Sequence, residues 1–256
     1  MVSAAVLADR FRRLGVRAGM VLHVQASLRA LGPVEGGAAG VVDALLELLG
    51  SEGTLAAYTA TPENSSTSRI YQAAVAGMSA GEVAEYRARM PRFDPAATPA
   101  SPTMGALSEA VRTRPGALRS GHPQTSWAAV GPMAGEITAR HPLTSHLGPD
   151  SPLGKLYELD ARTLMLGVEM ARFTPFHLAD LRQPDVRLRE YRCVGPEGWV
   201  GFRAPDLDDL HFAGLGERVL GAAAGVGVGR IGAAECRLVP VREAVDLADG
   251  FLRGRG

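Results

Sequence analysis

The sequence predicts an α/β fold, and three observations near its start carry this prediction. An apolar run at 20–24 indicates a strand, apolar residues at helical spacing follow over 38–49, and a second strand is expected at 53–59. A strand, a helix and a strand in this order form a βαβ unit, whose strands are parallel and whose crossover is right-handed. At 256 residues the chain is long enough for one large domain or two small ones.

The remaining predicted elements continue the mixture of helices and strands. Leu7, Phe11 and Leu14 have the spacing of an amphipathic helix before the first strand. Residues 27–33 are expected to form a loop at the end of that strand. Further strands are expected at 127–130 and 162–168, a hairpin at 187–194 and 198–202, and helices at 104–112, 151–159, 207–224 and 242–251.

Residues 60–103 differ in composition from the predicted core elements. They are rich in Pro, Ser, Thr, Ala and Arg, with one expected helix at 80–89. A segment this long between core elements is usually functional. We interpret it as an excursion over the substrate side, with flexible decoration as the alternative.

Composition and charge narrow the class of protein. Lys and Arg total 27, as do Asp and Glu, so there is no net basic charge and nucleic acid is not an expected partner. Asp9 and Arg10 interrupt the N-terminal apolar residues, and no apolar run approaches membrane-spanning length, so we expect neither a signal peptide nor a membrane segment. Cys193 and Cys236 have no zinc-site or CxxC spacing and are interpreted as reduced thiols of a cytoplasmic protein, with a disulfide left open.

Residues 174–180, TPFHLAD, are the strongest candidate site. Thr174 and Pro175 favour a helix start, as N-cap and first helical residue, directly after the strand at 162–168. His177 and Asp180 would share one helix face, at the end of a strand where α/β sheets bind ligands. A helix N-terminus would keep His177 neutral, and Asp180 would fix its tautomer. The alternative is a surface helix whose His and Asp face water.

Three further motifs are weaker candidates for a site. The loop at 119–126 has Arg, Ser and His around a Gly turn and could hold phosphates, although most such loops are solvated turns. Glycines 227, 229 and 232 spell GxGxxG without a strand before and a helix after, so a dinucleotide site is discounted. The cluster Asp206, Asp208, Asp209 and His211 is interpreted as a helix N-terminal charge cap rather than a metal site, and no metal is expected.

Seven segments in order resemble one family, the aminoglycoside 3-N-acetyltransferases, which have the antibiotic N-acetyltransferase fold. The segments are SLRALG at 27–32, EGTLAAYT at 52–59, FDPAATPASPTMG at 93–105, RSGHPQTSWAAVG at 119–131, SPLGKLYELD at 151–160, LMLGV at 164–168 and TPFHLAD at 174–180. The resemblance implies one α/β domain over 1–256, with a central mixed, largely parallel sheet flanked by helices.

The resemblance also implies acetyl-CoA-dependent transfer to an amine in a ternary complex, with no covalent acyl-enzyme. In this comparison His177 is the general base, Asp180 is its carboxylate partner, and Thr174 lies near the thioester, where N–H groups of the helix start could stabilise the oxyanion. The residues that match CoA-contacting segments are Ser27, Leu28, Arg29, Arg119, Ser120, His122 and Ser126. Tyr58 and Glu63 match the substrate side.

Departures from the family pattern shape the expected substrate. Gln25 replaces the histidine that usually opens the first-strand motif, and Asp180 replaces a glutamate. Glu63 alone could supply the acidic residue that aminoglycoside-modifying relatives carry after AYT, while residues 64–92 hold four arginines against two glutamates. The acceptor is thus an amine of an aminoglycoside or a related natural product, leaning toward the less charged amines. The alternatives are a non-catalytic CoA-binding relative and an acyltransferase for another biosynthetic amine. A homodimer is one expected oligomeric state.

Overall fold

The computed structural model describes residues 1–254, which contain nine strands. They are β1 Val21–Ala26, β2 Thr54–Tyr58, β3 Leu118–Arg119, β4 Trp127–Val130, β5 Arg162–Leu166, β6 Leu188–Gly195, β7 Gly198–Pro205, β8 Gly227–Ile231 and β9 Ala234–Pro240. Seven of them form one sheet in the order β3-β4-β2-β1-β5-β9-β8, and β6 and β7 form a separate hairpin.

The described residues also contain eleven α-helices and three 3-10 turns. The helices are α1 Ala4–Leu14, α2 Leu28–Leu31, α3 Gly37–Leu49, α4 Arg69–Ala74, α5 Ala80–Arg89, α6 Ala106–Arg112, α7 Ala134–Thr138, α8 Pro152–Glu158, α9 Phe176–Asp180, α10 Phe212–Ala222 and α11 Val241–Arg253. The 3-10 turns are Pro62–Asn64, Pro102–Met104 and Met170–Arg172. None of the helices within residues 1–254 is long and apolar enough to cross a lipid bilayer.

The centre of the sheet is parallel and its two sides are antiparallel. β1 pairs in parallel with β2 and with β5, so the predicted βαβ unit is confirmed. β4 pairs antiparallel with β2 and β3, and β9 pairs antiparallel with β5 and β8. The predicted α/β fold with a mixed sheet is therefore confirmed, and its parallel part is the central three strands.

Helices cover both faces of the sheet because neighbouring strand residues point to opposite sides. Leu164 and Leu166 of β5 pack in the core with α1, α3 and α6, whereas Met165 packs in the core with α7 to α11. Each face buries a full cluster of apolar side chains. This three-layer arrangement leaves the carboxyl ends of β1 and β5 as one open rim.

The end of β1 differs from the sequence prediction. The expected loop at 27–33 contains the short helix α2, and Ser27 Oγ accepts a hydrogen bond from the Ala30 N–H at 3.3 Å. Ser27 N–H also donates to the carbonyl of Leu166 at 2.9 Å. The second bond holds the start of α2 against the end of β5 at the rim of the sheet.

Part of the segment 60–103 packs on the β6–β7 hairpin. Arg87 Nε of α5 donates to the Tyr71 hydroxyl at 2.7 Å, and Trp199 Nε1 of β7 donates to the Arg87 carbonyl at 3.4 Å. The Tyr71 and Trp199 rings meet edge to face at 6.2 Å. The segment is thus ordered by internal contacts, and it returns to the sheet at the 3-10 turn Pro102–Met104.

The GxGxxG glycines lie in and beside the β8–β9 hairpin, not in a strand–helix turn. A Cβ on Gly227 would lie 2.0 Å from the Leu14 carbonyl oxygen at the end of α1. The glycine therefore allows a helix end to approach a strand closely. The two cysteines, Cys193 and Cys236, are both buried and free, as predicted.

Candidate active site

A cleft of about 810 Å³ opens at the carboxyl ends of β1 and β5. Its size falls within the range of small-molecule sites. The residues that line it are Val24, Gln25, Ala26, Ser27, Arg29, Tyr58, Thr103, Met104, Ser108, Leu147, Val168, Ala171, Arg172, Thr174, His177, Leu207, Asp209 and Phe212. The prediction of a ligand site at this rim therefore coincides with a cleft of suitable volume.

Thr174 is held by the side-chain amide of Gln25. Gln25 Nε2 donates to the Arg172 carbonyl at 2.7 Å and to Thr174 Oγ1 at 3.0 Å, while its Oε1 accepts from the Thr174 N–H at 3.3 Å. The Arg172 carbonyl only accepts, so the amide orientation follows from the bonding pattern. Because Thr174 Oγ1 accepts from Gln25, its own proton is left to donate elsewhere.

The local structure at Thr174 corrects the predicted helix start. α9 begins at Phe176 and has five residues, and Thr174 does not cap it. The N–H groups of Phe176, His177 and Leu178 donate to the carbonyls of the third residue before each. These N–H groups are therefore occupied within the turn, and the expectation that they bind an oxyanion is wrong.

His177 lies on the cleft wall, with its ring 4.7 Å from the Phe212 ring. Burial lowers the pKa of His177 to about 4, and the nearby Asp209 and Asp208 carboxylates only partly oppose this effect. A neutral imidazole at neutral pH was predicted from a helix N-terminus. The structure gives the same protonation state with desolvation as the main cause.

Asp180 lies in the last turn of α9 and reaches a second histidine. Its Oδ1 is 2.9 Å from Nε2 of His211, and both side chains are partly buried. His211 directly precedes α10, whose first residue, Phe212, contacts the His177 ring. Asp180 thus joins the start of α10 to α9 beside the cleft, and its role toward His177 stays a prediction.

The first-strand segment of the predicted CoA site lies at the cleft. Ser27 and Arg29 line it, and the Arg29 side chain is exposed. Leu28 packs instead against the core on the α1 and α3 face. The Ser27 hydroxyl and the exposed Arg29 guanidinium are therefore available at this rim.

The second predicted CoA segment is part of the protein interior. Arg119 donates through Nη2 to the Thr59 carbonyl at 2.6 Å and through Nη1 to the Thr98 carbonyl, and its guanidinium lies over the Phe93 ring. Burial lowers its pKa to about 10. Ser126 Oγ donates to the same Thr59 carbonyl at 3.0 Å. Neither side chain lines the cleft.

Ser120 and His122 are equally internal. Both are fully buried. Ser120 Oγ lies 2.9 Å from His141 Nδ1, and His122 Nδ1 accepts from the N–H groups of Gln124 and Thr125. The His122 ring also lies between the His141 and His146 rings, with centroids 4.8 and 4.7 Å away and the ring planes tilted. The loop at 119–126 is thus a bonded internal turn rather than a solvated one.

Of the two residues assigned to the substrate side, Tyr58 lines the cleft. Its ring is 5.2 Å from Trp127, and burial raises the pKa of its hydroxyl, which stays protonated. Glu63 lies outside the lining and accepts from Ser101 Oγ at 2.5 Å. The structure therefore places Tyr58, but not Glu63, in the lining of the cleft that holds His177.

Among the lining residues that were not assigned to the site from the sequence are Gln25, Arg172, Asp209 and Phe212. In the sequence, Gln25 is only a departure from the family pattern, and Asp209 is only part of a predicted helix cap. The loop before α10 folds back over the cleft, and no spacing in the sequence signals that return.

Comparison with known proteins places the chain in a family. The family model for aminoglycoside 3-N-acetyltransferase matches residues 23–253. The aminoglycoside N(3)-acetyltransferase III of Serratia marcescens is 38% identical over 200 residues, covering 76% of this chain and 72% of the relative. The aminoglycoside N(3')-acetyltransferase-like protein YokD of Bacillus subtilis is 32% identical over 247 residues, covering 95% and 89%.

Solved structures that are similar to this chain lead to the same family. The crystal structure of YokD superposes with a TM-score of 0.89 at 30% identity, covering 98% of this chain and 99% of that one. The structure of AAC-IIIb in a binary complex with CoASH has a TM-score of 0.82 at 30% identity, covering 99% and 97%. The family model, the relatives and the solved structures agree, and the chain belongs to the aminoglycoside 3-N-acetyltransferase family of acyltransferases.

Proposed function

We propose that this protein transfers the acetyl group of acetyl-CoA to an amine of an aminoglycoside or a related natural product, with His177 as general base. The observation that carries the proposal is a neutral imidazole on the wall of a cleft at the carboxyl ends of parallel strands. Family membership supports the reaction class. The reaction would take place in the cytoplasm, as expected from the sequence.

The cleft suits acetyl-CoA as co-substrate, which supplies the acetyl thioester. Arg29 at the rim is placed to bind a phosphate, and Ser27 offers a hydroxyl beside it. Apolar lining from Val24, Met104 and Val168 suits a pantetheine chain. A family structure has been solved with CoASH, which supports the same class of ligand here.

Each residue has a distinct role in the proposed transfer. The amine nitrogen forms a bond to the acetyl carbon and gives its proton to His177, while the carbon–sulfur bond breaks and the thiolate leaves. The Thr174 hydroxyl, whose oxygen accepts from Gln25, donates to the acetyl oxygen as negative charge develops there. The imidazolium then returns its proton to the thiolate, and the site is restored.

Two groups of predicted site residues take supporting roles in this proposal. Asp180 is kept as the carboxylate partner of His177, with His211 bonded to it on the α10 side. Arg119, Ser120, His122 and Ser126 use their polar atoms within the protein, so we assign them to holding the end of β2, and thereby Tyr58, rather than to contacting CoA.

Release of free thiol from acetyl-CoA, measured with and without a panel of amines, tests the proposal. Replacing His177 by Ala should lower kcat by about 10²–10⁴, the usual contribution of a general base. The affinity for acetyl-CoA should change little, because the imidazole acts on the acceptor amine. Unchanged turnover in this variant would remove His177 from the role.

The same assay distinguishes the proposed acetyltransferase from the main alternative. A non-catalytic relative would bind acetyl-CoA, as seen by calorimetry, without amine-dependent thiol release. Mass spectrometry of the amines identifies any acetylated product and hence the acceptor.

A further inference from the structure

The loop at 206–211 connects β7 to α10 and forms part of one wall of the cleft. Leu207 and Asp209 of this loop line the cleft. The Asp208 and Asp209 carboxylates are close enough to His177 to oppose the lowering of its pKa. An acceptor amine within hydrogen-bond distance of His177 is therefore also close to this loop.

Ionic contacts tie the loop to neighbouring elements. They join Arg189 to Asp206 at 3.4 Å, Arg172 to Asp209 at 3.1 Å and His211 to Asp180 at 2.9 Å. The two arginine side chains are 47% and 73% exposed, and exposed ion pairs are weak and screened by salt. The His211 and Asp180 side chains are only 31% and 22% exposed. Their contact is the shortest and least exposed of these, so the position of the loop depends on it most.

This contact joins the loop to the helix that carries the candidate base. Asp180 is the last residue of α9, and His177 lies three residues before it. A carboxylate only accepts, so His211 donates through Nε2. The Phe212 ring lies 5.0 Å from the His211 ring and 4.7 Å from the His177 ring. The loop, the start of α10 and α9 therefore converge at His211.

We infer that His211 is a positioning residue, which holds the loop 206–211 against α9 through its hydrogen bond to Asp180 and so fixes the wall that the acceptor contacts. The inference rests on the proposed function and assigns a role in it to a residue outside the cleft lining. His211 acts on the wall and not on the reacting atoms. Its loss should therefore weaken binding of the acceptor more than it slows the chemical step.

His211→Met and His211→Gln test the inference as a matched pair. Methionine has a side chain of similar length without a donor, whereas the glutamine amide can still donate to Asp180. The acceptor is sisomicin, or the amine of the panel that the parent protein acetylates most efficiently. With acetyl-CoA saturating, His211→Met should raise KM for the acceptor roughly 5–10-fold and change kcat less than about threefold. His211→Gln should keep this KM within about twofold of the parent value, and both variants should keep KM for acetyl-CoA within about twofold.

Arg189→Gln is the control, because it removes an ionic contact of the same loop through an exposed side chain outside the cleft lining. It should change KM for the acceptor less than about twofold. A fall in kcat at unchanged acceptor KM in His211→Met would mean that His211 acts on the base instead. That result, or equal acceptor KM values for His211→Met and His211→Gln, overturns the inference and leaves the proposed function standing. Thiol release that depends on no amine in the parent protein or any variant overturns both.

Discussion

One hydroxyl proton in the cleft has its direction set by a neighbouring amide. Gln25 donates to Thr174 Oγ1 and accepts from the Thr174 N–H, so it uses the threonine oxygen as an acceptor only. The hydroxyl proton is then free to point into the cleft. Since the N–H groups at the start of α9 are bonded internally, Thr174 is the donor we assign to the acetyl oxygen.

Gln25→Glu should reverse the direction of the hydrogen bond to the Thr174 hydroxyl, with little change in the shape of the side chain. A carboxylate accepts hydrogen bonds but cannot donate them, so the Thr174 hydroxyl would donate to it. The carboxylate would also face the Arg172 carbonyl oxygen. We expect kcat to fall roughly 10–100-fold, a somewhat smaller effect than complete loss of an oxyanion donor. KM for acetyl-CoA should change much less in steady-state measurements.

Gln25→His is the matched control, because an imidazole N–H can still donate to Thr174 Oγ1. Its kcat should stay well above that of Gln25→Glu. Full activity in Gln25→Glu would show that the hydroxyl proton of Thr174 has no part in the transfer.

At the scale of single residues, His177 lies in a cleft at the predicted rim, but its surroundings differ from those expected. Its neutral state was attributed to a helix N-terminus, but α9 is one short turn and desolvation is the main cause. Arg172 and Asp209 could not be assigned, because they are 37 positions apart and meet only in the folded chain. Tertiary proximity of this kind leaves no local pattern.

At the scale of elements, segments with a clear apolar pattern were predicted well and the shortest helices were not. α3, β2 and β5 lie within a few residues of the expected ranges, since their apolar periodicity reflects burial. α2 and α9 have four and five residues, too short for local propensity to decide. Their conformations follow from bonds to β5 and from packing against α10.

The loop at 119–126 illustrates why polarity alone is ambiguous. Arg119 looks like a phosphate ligand in the sequence, yet its donors are used by the carbonyls of Thr59 and Thr98. Those partners are about 60 and 20 residues away and come from separate segments. The same residue types serve an exposed ligand site or an internal brace, and only the fold distinguishes them.

The close approach of α1 to β8 gives a prediction at this scale. Gly227→Ala would place a Cβ 2.0 Å from the Leu14 carbonyl oxygen, so helix and strand must separate. We expect a loss of about 1–3 kcal/mol in the free energy of unfolding, typical of overpacking. Urea denaturation of purified protein measures it.

Gly221→Ala is the matched control for the same chemical change. Gly221 lies in α10, where an added Cβ meets no atom within 4 Å. This variant should gain up to about 1 kcal/mol, because Ala favours helix more than Gly. Equal stability of the two variants would contradict the assigned role of Gly227.

At the scale of the whole molecule, burial of histidine couples folding to pH. Burial lowers the pKa of His23 and His146 to about 3, and of His141 and His177 to about 4. In the unfolded chain these side chains titrate near pH 6.5. The unfolded state therefore binds more protons than the folded state between these values, and stability falls as the pH falls through this window.

Acid should thus weaken the protein well above the range where carboxylates titrate. At about pH 5 each of these four histidines costs on the order of 1–2 kcal/mol of stability relative to neutral pH. Together they remove a large part of the marginal stability of a typical domain. Urea midpoints measured at about pH 7.5 and pH 5 should differ strongly, and equal midpoints would contradict the burial of these rings.

The pairing of β1 with β5 has a consequence during synthesis. β1 ends at Ala26, but its neighbour β5 ends at Leu166, about 140 residues later. While a ribosome makes the intervening chain, the edge of β1 that pairs with β5 has no partner strand. We therefore expect the apolar side chains of β1 to stay incompletely covered until more than half of the chain has left the ribosome.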